Sequence, residues 1–182
     1  MELRPYQLED VQKLLTQPAM GVFNEQRTGK TPTSLMTMKQ RGVQRLLIVC
    51  PASLVYAWAE EYKLWTEGSA YIISSATDFN LGYSIVLARN PTALILNYEN
   101  LRDSKAYKGA WETILKKYKP DGLIVDEVHR FKDRNSANFK AVSKFHNVEY
   151  RLYLSGTPAP NKPWDIWTTL HLIRPNNYTS YW

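Results

Sequence analysis

Two short stretches carry residue types that together do phosphate chemistry. "NEQRTGKT", Asn24 to Thr31, ends in a Gly-Lys-Thr triplet. A loop of backbone N–H groups running into a helix N-terminus wraps an anion there, with Lys30 as a point charge and the Thr31 hydroxyl offered to magnesium. The full GxxxxGK[ST] pattern fails at its first position, which is Asn24, and a bare GKT triplet occurs in unrelated proteins, so the triplet alone leaves the reading open. The second stretch, "VDEVH", sets Asp126 and Glu127 side by side after an apolar run. Asp126 at a strand tip suits magnesium, directly or through water, and Glu127 suits orienting the water that attacks a γ-phosphate. An exposed acidic turn is the alternative, but together the two stretches point to nucleotide hydrolysis.

Other polar groups are less specific. His129 has no Cys or His near it at metal spacing, which argues against zinc and for a local hydrogen bond. Ser155, Gly156 and Thr157 in "SGTPAPN" form a small polar turn that could touch the Asp-Glu pair and a moving neighbour, although alone it reads as an ordinary turn.

These groups need a frame. Short β-rich apolar runs recur at 20 to 23, 46 to 50, 71 to 74, 93 to 97, 122 to 126 and 150 to 155, and they read as strands buried on both faces. Between them lie segments of helical period at 5 to 15, 30 to 40, 53 to 65, 105 to 118, 136 to 145 and 163 to 173. The stretch from Ser75 to Pro91 stays ambiguous. The alternation predicts an α/β fold, a mainly parallel sheet covered on both faces, with ligands outside the carboxyl ends of the strands.

Composition bounds the rest. The 182 residues suit one domain, and 44% hydrophobic content with six Trp excludes a disordered chain. No apolar run approaches the roughly 20 residues of a membrane span, and "MELRPYQLED" lacks a secretory core, so a cytoplasmic location is expected. Cys50, alone of its type, follows "LLIV" and reads as a buried inert thiol. The formal charge of +6 favours an anionic partner without naming it.

Taken in chain order, the pieces resemble the first RecA-like lobe of superfamily-two helicases, and specifically the Swi/Snf-like DNA translocases. "LRPYQLEDVQKLL" is similar to the opening Q-motif, which implies that Gln7 reads the adenine edge, with Arg4 also at the nucleotide. "NEQRTGKT" is similar to the family's "DEMGLGKT": Asn24 replaces an Asp and Arg27 stands where Gly is usual, and Arg27, Thr28, Gly29, Lys30 and Thr31 would bind the nucleotide. "LLIVCPASLVYAWAEEYKLW" resembles motif Ia, whose Pro51 to Ser53 turn would present Ser53 to a nucleic-acid backbone, while Trp58 and Trp65 read as core. "LILNYENLRD" resembles motif Ib, placing Asn97 and Tyr98 near a second nucleic-acid contact, with packing as the alternative for Tyr98. "VDEVHRFKD" resembles a DEAH-type motif II with Val128 at the third position, and "RLYLSGTPAPNKPWDIWTTLHLIRP" resembles motif III and its following helix, with Ser155, Gly156 and Thr157 in a coupling role. Arg130 and Lys132, in a basic run with Arg134 and Lys140, would add nucleic-acid contacts or else form a solvated face.

The resemblance implies a three-layer RecA-like P-loop NTPase lobe over residues 1–182, using ATP and magnesium in a motor that tracks along double-stranded DNA. A second RecA-like lobe would supply arginines to the phosphates. Its absence here implies a fragment of a longer product with feeble hydrolysis alone, or a natural single-lobe protein. The short lobe and early Q-motif suggest a bacterial or phage source. A lobe acting on RNA or single strands, and a non-catalytic binding module, are the other readings.

Overall fold

The computed structural model describes residues 2–73, 92–102, 109–131, 133–159 and 163–179. Lys132, the ambiguous stretch from Ser75 to Pro91 and residues 105–108 of an expected helix lie outside the described residues. The described strands are β1 (Ala19–Val22), β2 (Leu46–Cys50), β3 (Ala70–Ile73), β4 (Ala93–Asn97), β5 (Gly122–Val125) and β6 (Tyr150–Leu154), each within a residue or two of its expected bounds. They form one sheet in the order β1-β6-β5-β2-β4-β3, with every pairing parallel.

The central strands are apolar throughout because both of their faces are covered. β2, β4 and β5 are buried along nearly their whole length, whereas the edge strands β1 and β3 keep half-exposed positions. Successive side chains of β2 point to opposite faces: Leu47 and Val49 enter one core, and Leu46, Ile48 and Cys50 the other. The first core is closed by Tyr98, Phe131, Phe139 and Trp167, the second by Leu35 and Met38 of helix α2 (Lys30–Gln40) with Val55, Trp58 and Tyr62 of helix α3 (Val55–Thr66). Each such side chain removed from water contributes about 1.5–3 kcal/mol, so two cores, one on each face, hold the sheet between helical layers. Helix α1 (Pro5–Leu14), started by Pro5 in its first turn, packs on α2 through Leu14 in the second core.

The expected helices at 105–118 and 163–173 are composite. The first is an α-turn Ala110–Thr113 continued as a π-turn Ile114–Tyr118, and the second starts as a 3₁₀ turn Pro163–Ile166 before the α-helix Trp167–Ile173.

Strand order decides what meets at the carboxyl edge. β1 pairs with β6 and β6 with β5, so three loops far apart in sequence, after Val22, Val125 and Leu154, leave adjacent strands. These are the loop to α2, the Asp126-Glu127 turn and the Ser155 to Thr157 turn.

Candidate active site

The loop from Phe23 to Gly29 joins β1 to α2, which begins at Lys30. Gly29 caps that helix at φ +81°, a conformation that favours glycine, and an added Cβ would lie 2.1 Å from Gln7 Nε2 and displace that side chain. Arg27 holds φ +64° without being glycine. The position where the family pattern has Gly is thus left-handed here, a conformation that glycine adopts freely and arginine does not.

Helix α1 braces this loop. Gln7 is buried; its Oε1 accepts the Arg4 N–H at 2.8 Å, and its Nε2 donates to the Thr28 carbonyl at 3.2 Å. One amide lone pair and one N–H remain for another partner. The Tyr6 hydroxyl also donates to the Thr28 carbonyl, at 3.1 Å, and Asn24 Nδ2 donates to Asp10 Oδ2 at 2.7 Å. Arg4 itself is exposed at the N-cap of α1. The Lys30 ammonium is turned onto its own loop, donating to the carbonyls of Asn24 at 3.0 Å and Glu25 at 2.8 Å.

Opposite stands the acidic turn. Asp126 is 9% exposed, its N–H bonded to the Val49 carbonyl of β2. Its Oδ2 accepts the indole N–H of Trp58 at 3.0 Å, and its Oδ1 accepts the Glu127 N–H at 2.8 Å. Burial raises the Asp126 pKa above its ordinary value and the Glu127 charge adds to the rise, while the Trp58 and Glu127 N–H bonds and the Lys30 charge oppose it. Glu127 sits at φ +51°, a left-handed conformation uncommon outside glycine.

His129 joins this turn to the next. Its Nδ1 lies 3.1 Å from Glu127 Oε2 and 2.9 Å from the Ser155 hydroxyl, which in turn accepts the Thr157 N–H at 3.0 Å. The expected local bond of His129 is thus only half of its role, since it also reaches across 26 residues of sequence. Gly156 lies against the loop before α2: a Cβ there would be 2.9 Å from Gln26 Cγ and 3.7 Å from the Lys30 ammonium.

Lys30, Thr31, Gly29 and Arg27 line the same cleft as Asp126 and Glu127, a space of about 500 Å³. Glu61, Leu64 and Trp65 of α3 form another wall, which the sequence reading missed. Trp65, expected in the core, packs against it but is half-buried, with its N–H on Glu61 Oε2 at 2.9 Å. Trp58 is core as expected, yet its N–H serves Asp126. The only available signal was that a buried indole N–H needs an acceptor.

The residues assigned to nucleic acid divide. Ser53 is exposed on the 3₁₀ turn Ala52–Leu54 after β2, and Arg130 is exposed after Glu127. Asn97 is half-buried at the end of β4, where its Oδ1 accepts the Asn100 N–H at 2.8 Å. Tyr98 is a correction: it is 2% exposed, its hydroxyl donates to the Asp126 carbonyl, and its ring meets Phe131 edge-on at 4.8 Å. It is a packing residue beneath the acidic turn and presents nothing to a nucleic acid. Cys50 is fully buried as expected, its thiol pKa raised by burial and then by the Asp126 charge. Among the described residues no helix is long and apolar enough to cross a membrane.

In sequence the chain is 28% identical over 191 residues to the probable ATP-dependent DNA helicase CHR12 of Arabidopsis thaliana, covering 98% of this chain and 17% of that protein. It is 26% identical to the chromatin structure-remodeling complex subunit snf21 of Schizosaccharomyces pombe, covering 98% of this chain and 15% of that one. The chain therefore spans about a sixth of the length of these curated relatives. They and similar proteins come from plants, yeasts and vertebrates, which gives no support to the expected bacterial or phage source. In structure it resembles the Sulfolobus solfataricus SWI2/SNF2 ATPase core, solved in complex with dsDNA, at a TM-score of 0.73 and 20% identity over 98% of this chain and 38% of that chain. That likeness supports the expected RecA-like fold. The model of the SNF2-related domain matches residues 18–182, and the chain belongs to that family.

Proposed function

We propose that this chain is the first, ATP-binding lobe of a DNA-dependent ATPase that translocates on double-stranded DNA. The observation that carries the reading is the cleft itself, where Lys30 and Thr31 on one strand exit face Asp126 and Glu127 on another. The names of its relatives, an ATP-dependent DNA helicase and a remodelling subunit, and the dsDNA bound to the Sulfolobus core, support the choice of substrates.

The roles follow from position. The N–H groups of Thr28 to Thr31 and the Lys30 ammonium bind the β- and γ-phosphates, with Lys30 exchanging two carbonyl partners for phosphate oxygens. Gln7, with one lone pair and one N–H left, reads the adenine edge. The Thr31 hydroxyl and the Asp126 carboxylate are hard oxygen donors in one cleft, a set that fits magnesium completed by phosphate oxygens. Magnesium there would neutralise charge on the transferring phosphoryl group. Glu127, steadied by His129, orients the attacking water and takes its proton. Ser155 to Thr157 couples this acid to the loop before α2. Ser53, Asn97 and Arg130 stand at the ends of β2, β4 and β5 and contact the DNA backbone; Lys132 shares that assignment.

Phosphoryl transfer also draws on arginines from outside this lobe, a contribution worth about 10³ to 10⁵ in rate, so a second RecA-like lobe is required for rapid turnover. The test is ATP hydrolysis by the longest product of the gene with double-stranded DNA, single-stranded DNA, RNA or nothing, with this chain alone as reference. Stimulation by double-stranded DNA, steeply weakened by salt, supports the proposal. Lys30→Ala should abolish nucleotide binding. Stimulation by RNA alone, or none by any nucleic acid, would replace the proposal with one of the other readings.

A further inference from the structure

We infer that Trp58 is a positioning residue for Asp126, fixing the carboxylate in the orientation that a magnesium-nucleotide complex meets; the inference rests on the nucleotide reading above. The geometry is specific. Trp58 Nε1 donates to Asp126 Oδ2 at 3.0 Å, and the two residues are 3% and 9% exposed. Asp126 Oδ1 is held separately by the Glu127 N–H at 2.8 Å. With one donor on each oxygen, rotation about the Cβ–Cγ bond is arrested, and each oxygen keeps lone pairs for a further partner in the cleft that Asp126 lines.

The platform beneath this contact is rigid. Val55, Trp58 and Tyr62 bury one face of α3 in the second core, so the indole cannot follow a rotating carboxylate and instead dictates its angle. A phenylalanine at position 58 would fill most of the same space but donate nothing, leaving Asp126 restrained through one oxygen. Outer partners of metal-binding groups act in this way: they orient the ligand and tune its affinity without touching the metal.

A purely structural tryptophan, content to have its N–H satisfied, makes a different forecast. Binding of a non-hydrolysable ATP analogue to the 182-residue chain is measured with magnesium and with EDTA, for wild type, Trp58→Phe and Lys30→Ala. If Trp58 positions Asp126, Trp58→Phe weakens binding in magnesium by about tenfold or more and leaves binding in EDTA unchanged. Equal binding in magnesium, or an equal loss in both conditions, overturns the inference. Lys30→Ala tests the reading beneath it, since wild type binding no better than Lys30→Ala removes that reading and this inference with it. The indole ¹H–¹⁵N resonance of Trp58 in the wild-type chain gives a second readout that survives any misfolding of the variant. It should shift when magnesium is added to the nucleotide-bound chain, and a resonance that stays put overturns the inference as well.

Discussion

The two walls of the cleft are held in opposite ways. The loop before α2 is tied by bonds that are exposed or only partly buried: Gln7 and Tyr6 to the Thr28 carbonyl, Asn24 to Asp10, and Lys30 to its own loop carbonyls. The acidic turn is tied from inside the core, by Trp58 on its carboxylate and Tyr98 on its carbonyl. Water competes for the first set, each bond of which is worth only about 0.5–1.5 kcal/mol net, whereas losing a partner in the second set strands a buried polar group. The difference assigns a task to each wall. The loop can trade its carbonyl contacts for phosphate oxygens, while the acidic turn is set before any ligand arrives.

The largest expected effect comes from removing the one place where the loop wall has no freedom. Gly29→Ala puts a Cβ at φ +81° and 2.1 Å from the Gln7 amide nitrogen, so either the backbone flips or the Gln7 side chain gives up its bond to the Thr28 carbonyl. The left-handed conformation alone costs about 1–2 kcal/mol for a residue with a Cβ, and the clash adds to it. Thermal unfolding should register a loss of roughly 2–3 kcal/mol, together with loss of nucleotide binding. A Gly29→Ala chain that keeps both would show that the Gln7 to Thr28 brace is dispensable.

Next in size is Tyr98→Phe, which strikes the acidic wall from below. The ring, packed edge-on against Phe131, is kept, but the Asp126 carbonyl loses a buried donor. Denaturant unfolding should report a destabilisation of about 1–3 kcal/mol. The rival view of Tyr98 as a nucleic-acid contact makes the contrary forecast of intact stability and weakened DNA binding. Measuring both quantities on one variant therefore separates the two.

The frame was legible in the sequence because β2, β4 and β5 are buried on both faces and so read as apolar runs rich in Leu, Ile and Val, too short for a helix. At the strand ends, the loop before α2 and the acidic turn were legible because each leaves the carboxyl end of a strand, and Lys30, Asp126 and Glu127 do line one cleft. Tyr98 follows a strand too, but a helical turn capped by Asn97 begins there and rotates the ring into the core, a change of direction that a one-dimensional pattern does not carry. Trp58 and Glu61 were invisible for a related reason. Spacing along α3 shows which side chains share a face, but the acceptor of a buried N–H lies 68 residues away in sequence, and only the sheet order brings it near. The bond between Asn24 and Asp10 likewise joins two positions that no local motif relates.

The smallest effect has the opposite sign and tests whether the loop wall is strained. Arg27 and Glu127 both hold left-handed backbones, at φ +64° and +51°, one on each wall. Such a conformation costs about 1–2 kcal/mol without glycine, while a glycine there returns part of that gain through the freedom it adds to the unfolded chain. Arg27→Gly should thus stabilise the lobe by less than about 1 kcal/mol, a shift of a few degrees in melting temperature. Arg27 is also an exposed cation lining the cleft, so under the proposed function the same change should weaken binding of a nucleoside triphosphate as it stabilises the fold. If stability falls, the arginine makes contacts that outweigh its backbone strain, and the loop wall is not the loosely held partner of the pair. If stability rises and affinity is unchanged, Arg27 faces solvent in the bound state, and the charge on that wall falls to Lys30.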